Sequence, residues 1–273
     1  MTRPATRLTD KELDTLCDFA GDLATVASAV TLEHFRSGVD VDNKLDGNAF
    51  DPVTIADRDA EAAIRALIET HYPGHGIVGE EHGRKQGNSE LYWVLDPIDG
   101  TRSFISGVPL WGTLIALNDG TAPVIGVMDQ PYLKERYLGR PGSSHFIRGE
   151  KAVRLKTREC ASLSDAALGC TDPAMFTDKA EYAAFSEVRA KTRLTRYGAD
   201  CYFYCLVAAG HADLVIESSL QPYDIQALIP IVEGAGGIVT TWEGGDPQEG
   251  GRIIAAGDAR VHAEALNILS RVG

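Results

Sequence analysis

The sequence predicts a layered α/β protein built from two lobes. Three observations predict it: an amphipathic helix near the N-terminus, a run of short strands as far as residue 154, and an alternation of strands and helices after that point. This division assigns residues 1–154 to an N-terminal α+β lobe and residues 155–273 to a C-terminal α/β lobe. The chain has 273 residues, of which 44% are hydrophobic, so it is long enough to bury a sizeable core.

Two helices are expected at the start of the chain. Thr9, followed three residues later by Glu12, is a capping-box pattern, and apolar residues then recur at helical spacing as far as Val30. A second helix is predicted around residues 60–67. Residues 44–52 lie between the two helices and are rich in turn-forming residues, so we expect a loop there.

Short apolar runs separated by turn residues predict the strands in the rest of the chain. In the N-terminal lobe, strands are predicted at 77–79, 92–95, 112–117, 124–128 and 135–138. In the C-terminal lobe, strands are predicted at 166–170, 193–197, 213–217, 237–241 and 252–256, with helices at 179–190, 200–209, 224–233 and 259–269.

Charge and composition exclude several classes of function. The net charge is -13, which argues against a nucleic-acid partner, because binding a phosphate backbone needs a basic face. Five cysteines without CxxC spacing indicate a reducing compartment. The N-terminus lacks the pattern of a signal peptide, and no uninterrupted apolar run is long enough to span a bilayer. We therefore expect a cytoplasmic protein that does not interact with membranes.

Three acidic clusters stand out: Gly79-Glu80-Glu81, the string from Asp96 to Thr101 (DPIDGT), and Pro222-Tyr223-Asp224. The first two follow predicted strands and the third precedes a predicted helix. Taken singly, such residues are usually a turn, a solvated face or a helix cap. Together they indicate a crevice lined by hard oxygen ligands, which suit Mg²⁺. A bound cation would also explain how so acidic a chain could bind a phosphate.

The DPIDGT string is the most informative of the three. Pro97 fixes the backbone, so that Asp96 and Asp99 are expected to face one pocket. Gly100 permits a close approach of the backbone to a ligand. Thr101 is predicted to be the N-cap of a short helix whose free amides would point at an anion.

These motifs resemble those of the inositol monophosphatase superfamily of magnesium-dependent phosphatases. The matching segments are GEE at 79–81, WVLDPIDGTRSF at 93–104 and PYDIQALIPIVEGAGG at 222–237. Where the family usually has Trp-Asp in the last motif, this chain has Tyr223-Asp224. The resemblance implies a five-layered αβαβα sandwich, a homodimer, and hydrolysis of a small phosphate ester with two or three Mg²⁺ ions.

The resemblance also implies residue roles. The first magnesium would be bound by Glu80, Asp96 and the carbonyl of Ile98, and the second by Asp96, Asp99 and Asp224, while a third, weaker ion would use Glu80 and water. Asp57 would act with Thr101 on the attacking water, which makes Asp57, Thr101 and Glu80 the catalytic candidates. Lys44 would lie near the metals. A metal-activated water would attack in line, and no covalent phosphoenzyme is needed.

The C-terminal lobe is expected to select the leaving group. Asp200, at a helix start, and Glu217, at a strand end, would bring two carboxylates to the alcohol part of the substrate, and two anions favour a cationic alcohol. The segment also resembles the histidinol-phosphate phosphatase branch of the superfamily, so histidinol phosphate is the expected substrate. Asp200 could instead be a plain N-cap, and Glu217 an ordinary surface residue. The full set of predicted substrate-binding residues is Gly100, Thr101, Asp200, Glu217 and Asp224.

Three other functions remain open from the sequence. An inositol-1-phosphate phosphatase is the principal alternative. A phosphatase for adenosine bisphosphate would need basic residues near Glu217 or Asp224, and the sequence has no basic cluster there. A catalytically silent binding or assembly protein is disfavoured by the complete set of predicted ligands.

Overall fold

The computed structural model describes residues 6–38, 41–43 and 52–272. Lys44 lies outside the described residues. The loop predicted at 44–52 also lies outside them, apart from its last residue, Pro52. The helices are α1 (Asp10–His34), α2 (Ile55–His71), α3 (Thr101–Ile105), α4 (Lys179–Lys191), α5 (Asp200–Ala208), α6 (Pro222–Ile225), α7 (Leu228–Gly234) and α8 (Ala259–Leu269). The first strands are β1 (Val41–Asn43), β2 (Pro52–Thr54), β3 (Gly76–Gly79), β4 (Gly83–Lys85), β5 (Tyr92–Asp99), β6 (Gly112–Asn118), β7 (Pro123–Gln130) and β8 (Glu135–Arg140). They are followed by β9 (Ser143–Arg148), β10 (Lys151–Arg154), β11 (Ala167–Cys170), β12 (Leu194–Tyr197), β13 (Leu214–Leu220), β14 (Ile238–Thr241) and β15 (Gly251–Ala256).

These elements form five layers. Helices α1 and α2 cover one face of an eight-stranded sheet whose order is β10-β9-β8-β7-β6-β5-β3-β4. Helices α5, α6 and α7 lie between that sheet and a five-stranded one of order β12-β11-β13-β15-β14. Helices α4 and α8 cover the outer face of the smaller sheet. The predicted αβαβα sandwich is therefore confirmed.

Helix α1 shows how the sequence produces one outer layer. Its capping box forms as predicted, with Glu12 N donating to the Thr9 hydroxyl and Thr9 N donating to the Glu12 carboxylate. By length and apolar content α1 alone among the described helices could cross a membrane. Its apolar stripe, however, is buried against α2 and the large sheet, which is how a core helix of a soluble α/β domain packs.

The predicted boundary at residue 154 falls between the two sheets, because β10 ends at Arg154 and β11 begins at Ala167. One hydrophobic cluster nevertheless joins the halves: it contains Val94 from the large sheet and Phe203 from α5. The separation into two lobes stays a prediction.

Two expectations about the predicted elements are wrong. Strand β5 does not end at Leu95 but continues to Asp99, because β6 keeps pairing with it beyond an irregularity. The helix predicted at 224–233 is two helices, α6 and α7, separated by a short break. The paired strands β9 and β10 were not predicted, and their exposed residues lack a clear alternation.

Candidate metal-binding and active site

Three of the predicted metal ligands converge. Carboxylate oxygens of Asp96, Asp99 and Asp224 all lie within 4.8 Å of one another. Asp96 and Asp99 belong to β5 of the large sheet, and Asp224 belongs to α6 in the helical layer between the two sheets. The cluster thus lies where the two predicted lobes meet.

An irregularity in β5 brings its two aspartates together. Side chains three residues apart on a regular strand point to opposite faces. Here the pairing of β5 with β6 shifts register between Asp96 and Asp99, which lie opposite Leu114 and Gly112, and such a bulge re-aims the side chains beyond it. The hydroxyl of Thr113 donates to the Pro97 carbonyl at 2.8 Å, so the bulged backbone keeps a hydrogen-bond partner.

Asp224 is held in place by contacts at both ends of α6. The backbone amide of Gln221 donates to its carboxylate at 2.7 Å. Two residues further on, the buried Gln226 accepts a hydrogen bond from the side chain of Asn118 at the end of β6 (3.0 Å). The short helix is therefore tied to the large sheet, and Asp224 with it.

The site has excess negative charge. Burial raises the pKa of Asp96 well above its ordinary value, and the charges of Glu80, Asp99 and Asp224 raise it further. Burial likewise raises the pKa of Asp99, with Asp200 and Asp224 adding to the effect. Glu80 lies near this cluster, since its charge acts on Asp96. A divalent cation would neutralise such a set, and carboxylate oxygens are the donors that Mg²⁺ prefers, so these residues fit the metal.

The prediction that Thr101 caps α3 is wrong. The N-cap is Gly100, which adopts a left-handed conformation (φ 85°, ψ 42°) that glycine adopts without strain. Thr101 is instead the first residue of the helix, and its hydroxyl donates to the Ile98 carbonyl at 3.2 Å. Thr101 therefore lies against one of the predicted metal ligands.

Asp57 lies near the start of α2 and is buried. Its carboxylate accepts hydrogen bonds from the amide and the hydroxyl of Thr54 at 2.8 and 2.6 Å. Burial raises its pKa to about 6, although the bonds from Thr54 oppose this. Its charge interacts with those of Glu80 and Glu81, so it lies beside the acidic cluster. The proton relay between Asp57 and Thr101 stays a prediction.

Asp200 is the first residue of α5, but its side chain does not cap that helix. The N-cap is Ala199, and the Asp200 carboxylate accepts a hydrogen bond from the Ser103 hydroxyl of α3 at 3.1 Å. A Cβ built on Gly100 would lie 3.0 Å from an Asp200 oxygen. The alternative that Asp200 is a plain cap is therefore wrong, and its carboxylate lies against the DPIDGT segment.

Glu217 is 3% exposed, so the surface alternative is also wrong. One carboxylate oxygen accepts hydrogen bonds from the amide (2.9 Å) and hydroxyl of Thr171, and the other accepts one from the Tyr204 hydroxyl at 2.8 Å. Burial raises its pKa to about 7, and the charge of Asp200 contributes to the increase. The charge of Asp200 acts on Glu217, so the two carboxylates lie near each other.

Sequence reasoning missed several residues that hold this site. The amide of Cys201 donates to the Asp99 carboxylate at 2.7 Å. Ser103, Thr171 and Tyr204 hold the two carboxylates of the C-terminal lobe, and Glu61 supports the turn that carries Glu80. Of these residues, Glu61 alone left a signal in the sequence: it lies four residues after Asp57, on the same face of α2 as the apolar Ala60, Ile64 and Ile68.

Known proteins resemble this chain along nearly its whole length. The sequence model of the inositol monophosphatase family matches residues 12–272. The bifunctional phosphatase IMPL2, chloroplastic, of Arabidopsis thaliana is 44% identical over 96% of this chain and 77% of its own length. A histidinol-phosphatase of Chlorobaculum parvum is 35% identical over 92% of this chain and 94% of its own length. The solved structure of an inositol monophosphatase from Zymomonas mobilis matches with a TM-score of 0.83 at 40% identity, covering 96% of this chain and 99% of its own.

Proposed function

Because this chain belongs to the inositol monophosphatase family, whose members are generally Mg²⁺-dependent phosphatases, we propose that it hydrolyses L-histidinol phosphate to L-histidinol and phosphate. The observation that carries the choice of substrate is a pair of carboxylates beside the acidic cluster, the half-buried Asp200 and the buried Glu217. The histidinol-phosphatase relative supports the same choice.

The pair favours a leaving group that carries positive charge. The charge of Asp200 acts on Glu217, and desolvation raises the pKa of both carboxyls. A cation that enters the space beside them would stabilise their charged forms. The amine of histidinol phosphate is charged at neutral pH, and its imidazole can be, whereas the ring of inositol is neutral.

The family supplies the reaction class, and the geometry supports definite roles for the residues. Glu80, Asp96, Asp99, Asp224 and the Ile98 carbonyl would hold two or three Mg²⁺ ions. When bound, the metal would lower the pKa of the attacking water and neutralise phosphoryl charge. The Thr101 hydroxyl would accept the proton of the attacking water while passing its own proton to Asp57, and Gly100 would allow the phosphate a close approach to the backbone.

The setting proposed for this enzyme follows from the chain as a whole. The family resemblance implies a homodimer, and we expect it to work in the cytoplasm, since all five cysteines are free and buried. Nucleic acid is not expected as a partner of a chain with a net charge of -13.

A second candidate is inositol-1-phosphate hydrolysis, because the similar structure from Zymomonas mobilis is described as an inositol monophosphatase. A catalytically silent protein is the third candidate, against which the converging carboxylates count.

A side-by-side comparison of substrates tests the proposal. Phosphate release from histidinol phosphate, inositol 1-phosphate and adenosine 3′,5′-bisphosphate would be measured with and without Mg²⁺. We expect Mg²⁺-dependent release, with the largest kcat/KM for histidinol phosphate. A preference for inositol 1-phosphate would reject the substrate while keeping the phosphatase, and no release from any ester would favour the silent protein.

A further inference from the structure

Glu61 is a fully buried carboxylate outside the predicted site. It lies on α2, and its two oxygens accept hydrogen bonds from the backbone amides of Glu81 (2.7 Å) and His82 (3.1 Å). Arg65, one turn later on the same helix, donates its Nε to Glu61 at 2.6 Å. The carboxylate is thus occupied entirely with the turn that follows β3 and with its own counter-ion.

The fit between Glu61 and this turn leaves no room for a side chain at Gly79. A Cβ built there would lie 2.0 Å from a Glu61 oxygen, far inside van der Waals contact. At the other end of the turn, the Arg65 guanidinium donates to the Gly83 carbonyl. Helix α2 therefore contacts the segment 79–83 at both ends, through Glu61 at Gly79 and through Arg65 at Gly83.

Glu80 lies inside that segment and is anchored on its other side as well. Its amide donates to the Leu95 carbonyl at 3.2 Å, one residue before Asp96. The backbone of Glu80 is consequently fixed between α2 and β5, while the charge of its side chain acts on Asp96.

A buried carboxylate is expensive to desolvate unless it is paired and hydrogen-bonded. An apolar residue would fill the same space on α2, but it would leave the amides of Glu81 and His82 without acceptors. The hydrogen bonds of the Glu61 carboxylate therefore serve to fix the backbone of the turn.

We propose that Glu61, with Arg65 as its counter-ion, is a positioning residue for the metal ligand Glu80. The proposal rests on the metal-binding role given to Glu80 under the proposed function. Groups that orient metal ligands from behind typically change metal affinity by about tenfold to a hundredfold when they are removed.

Two substitutions on α2 test the proposal through their effect on Mn²⁺ binding. Glu61→Gln keeps the size of the side chain but loses the ion pair with Arg65 and one acceptor oxygen. The matched control is Glu69→Gln, because Glu69 also joins α2 to β4, through a salt bridge to Lys85 of 2.9 Å, but is exposed and does not touch the turn. Mn²⁺ affinity of the metal-free proteins, measured by electron paramagnetic resonance of free Mn²⁺, reports binding without any substrate.

We expect Glu61→Gln to weaken Mn²⁺ binding by about tenfold or more, and Glu69→Gln to bind as the wild type does. Since Glu61 is proposed to act through Glu80, adding Glu61→Gln to Glu80→Gln should weaken binding little further. A full additional loss in the double variant would show that Glu61 acts independently of Glu80 and would overturn the proposal.

Unchanged Mn²⁺ affinity in a folded Glu61→Gln variant would also overturn it. If Glu61→Gln does not fold, Arg65→Lys replaces it, because lysine keeps the charge but lacks the fork that joins Glu61 to the Gly83 carbonyl; the same loss of affinity is then expected, and its absence rejects the proposal. If the wild type itself binds no Mn²⁺, the proposed metal site fails, and the positioning role falls with it. Binding without release of phosphate from histidinol phosphate would instead reject only the substrate.

Discussion

Replacing Glu217 by glutamine should make the stability of the metal-free protein less dependent on pH. Glu217 is buried, and its pKa is raised from 4.5 to about 7 by desolvation and by the charge of Asp200. Glutamine has nearly the same shape and still offers an oxygen to the amide and hydroxyl of Thr171, but it cannot ionise. The variant therefore removes the titration while keeping most of the contacts.

The sign and size of the effect follow from the two pKa values. Between about pH 4.5 and pH 7 the folded state keeps the proton that the unfolded state has released, so the free energy of unfolding falls as the pH rises through this window. One pKa unit corresponds to about 1.4 kcal/mol. The loss assigned to Glu217 between pH 5 and pH 8 is therefore on the order of 2 to 3 kcal/mol.

Urea unfolding of EDTA-treated protein at pH 5 and pH 8 measures this loss. We expect the wild type to lose more stability between these values than Glu217→Gln does, by about 2 to 3 kcal/mol. Glu90→Gln serves as a control, because Glu90 is exposed and forms a surface ion pair with Arg7. The reasoning would be refuted by equal losses in the wild type and in Glu217→Gln.

Three further substitutions test the proposed roles. Asp96→Asn should abolish turnover without unfolding the protein, since a metal ligand is lost; residual activity above about a tenth of wild type would contradict the several kcal/mol expected from the metal. Thr101→Ala should lower kcat strongly and leave the Mg²⁺ dependence nearly unchanged, and a titration showing lost Mg²⁺ affinity with a normal saturated rate would assign Thr101 to the metal. Asp200→Asn should reduce kcat/KM for histidinol phosphate about tenfold to a hundredfold more than for a neutral ester, because a charge-assisted hydrogen bond contributes roughly 1.5–3 kcal/mol; equal losses on both would make Asp200 structural.

The sequence predicted the acidic cluster better than the backbone that builds it. The DPIDGT string named Asp96 and Asp99, but a strand was expected to end before them because the string reads as a turn. In the structure β6 continues to pair with β5 past the bulge. A bulge depends on the partner strand, so a local pattern of turn residues does not reveal it.

The predicted substrate-binding residues Asp200 and Glu217 illustrate the same limit over longer distances. Asp200 and Glu217 were identified from one segment of sequence, but the residues that hold them are spread along the chain. Ser103 is 97 positions from Asp200, and Thr171 is 46 positions from Glu217. Hydroxyl residues at such separations carry no periodic signal, and only the packing of α3, β11 and α5 brings them to the carboxylates.

The hydrogen bond from the Cys201 amide to the Asp99 carboxylate has a consequence for anyone who wishes to redesign this site. Position 200, where we propose that substrate preference is set, is the immediate neighbour of Cys201, whose backbone amide holds the proposed metal ligand Asp99. We therefore expect libraries that vary residues 199–201 to change cation binding together with selectivity. A screen at a fixed, low magnesium concentration would discard variants that have the desired selectivity but bind magnesium weakly. A screen at saturating magnesium would compare selectivity alone.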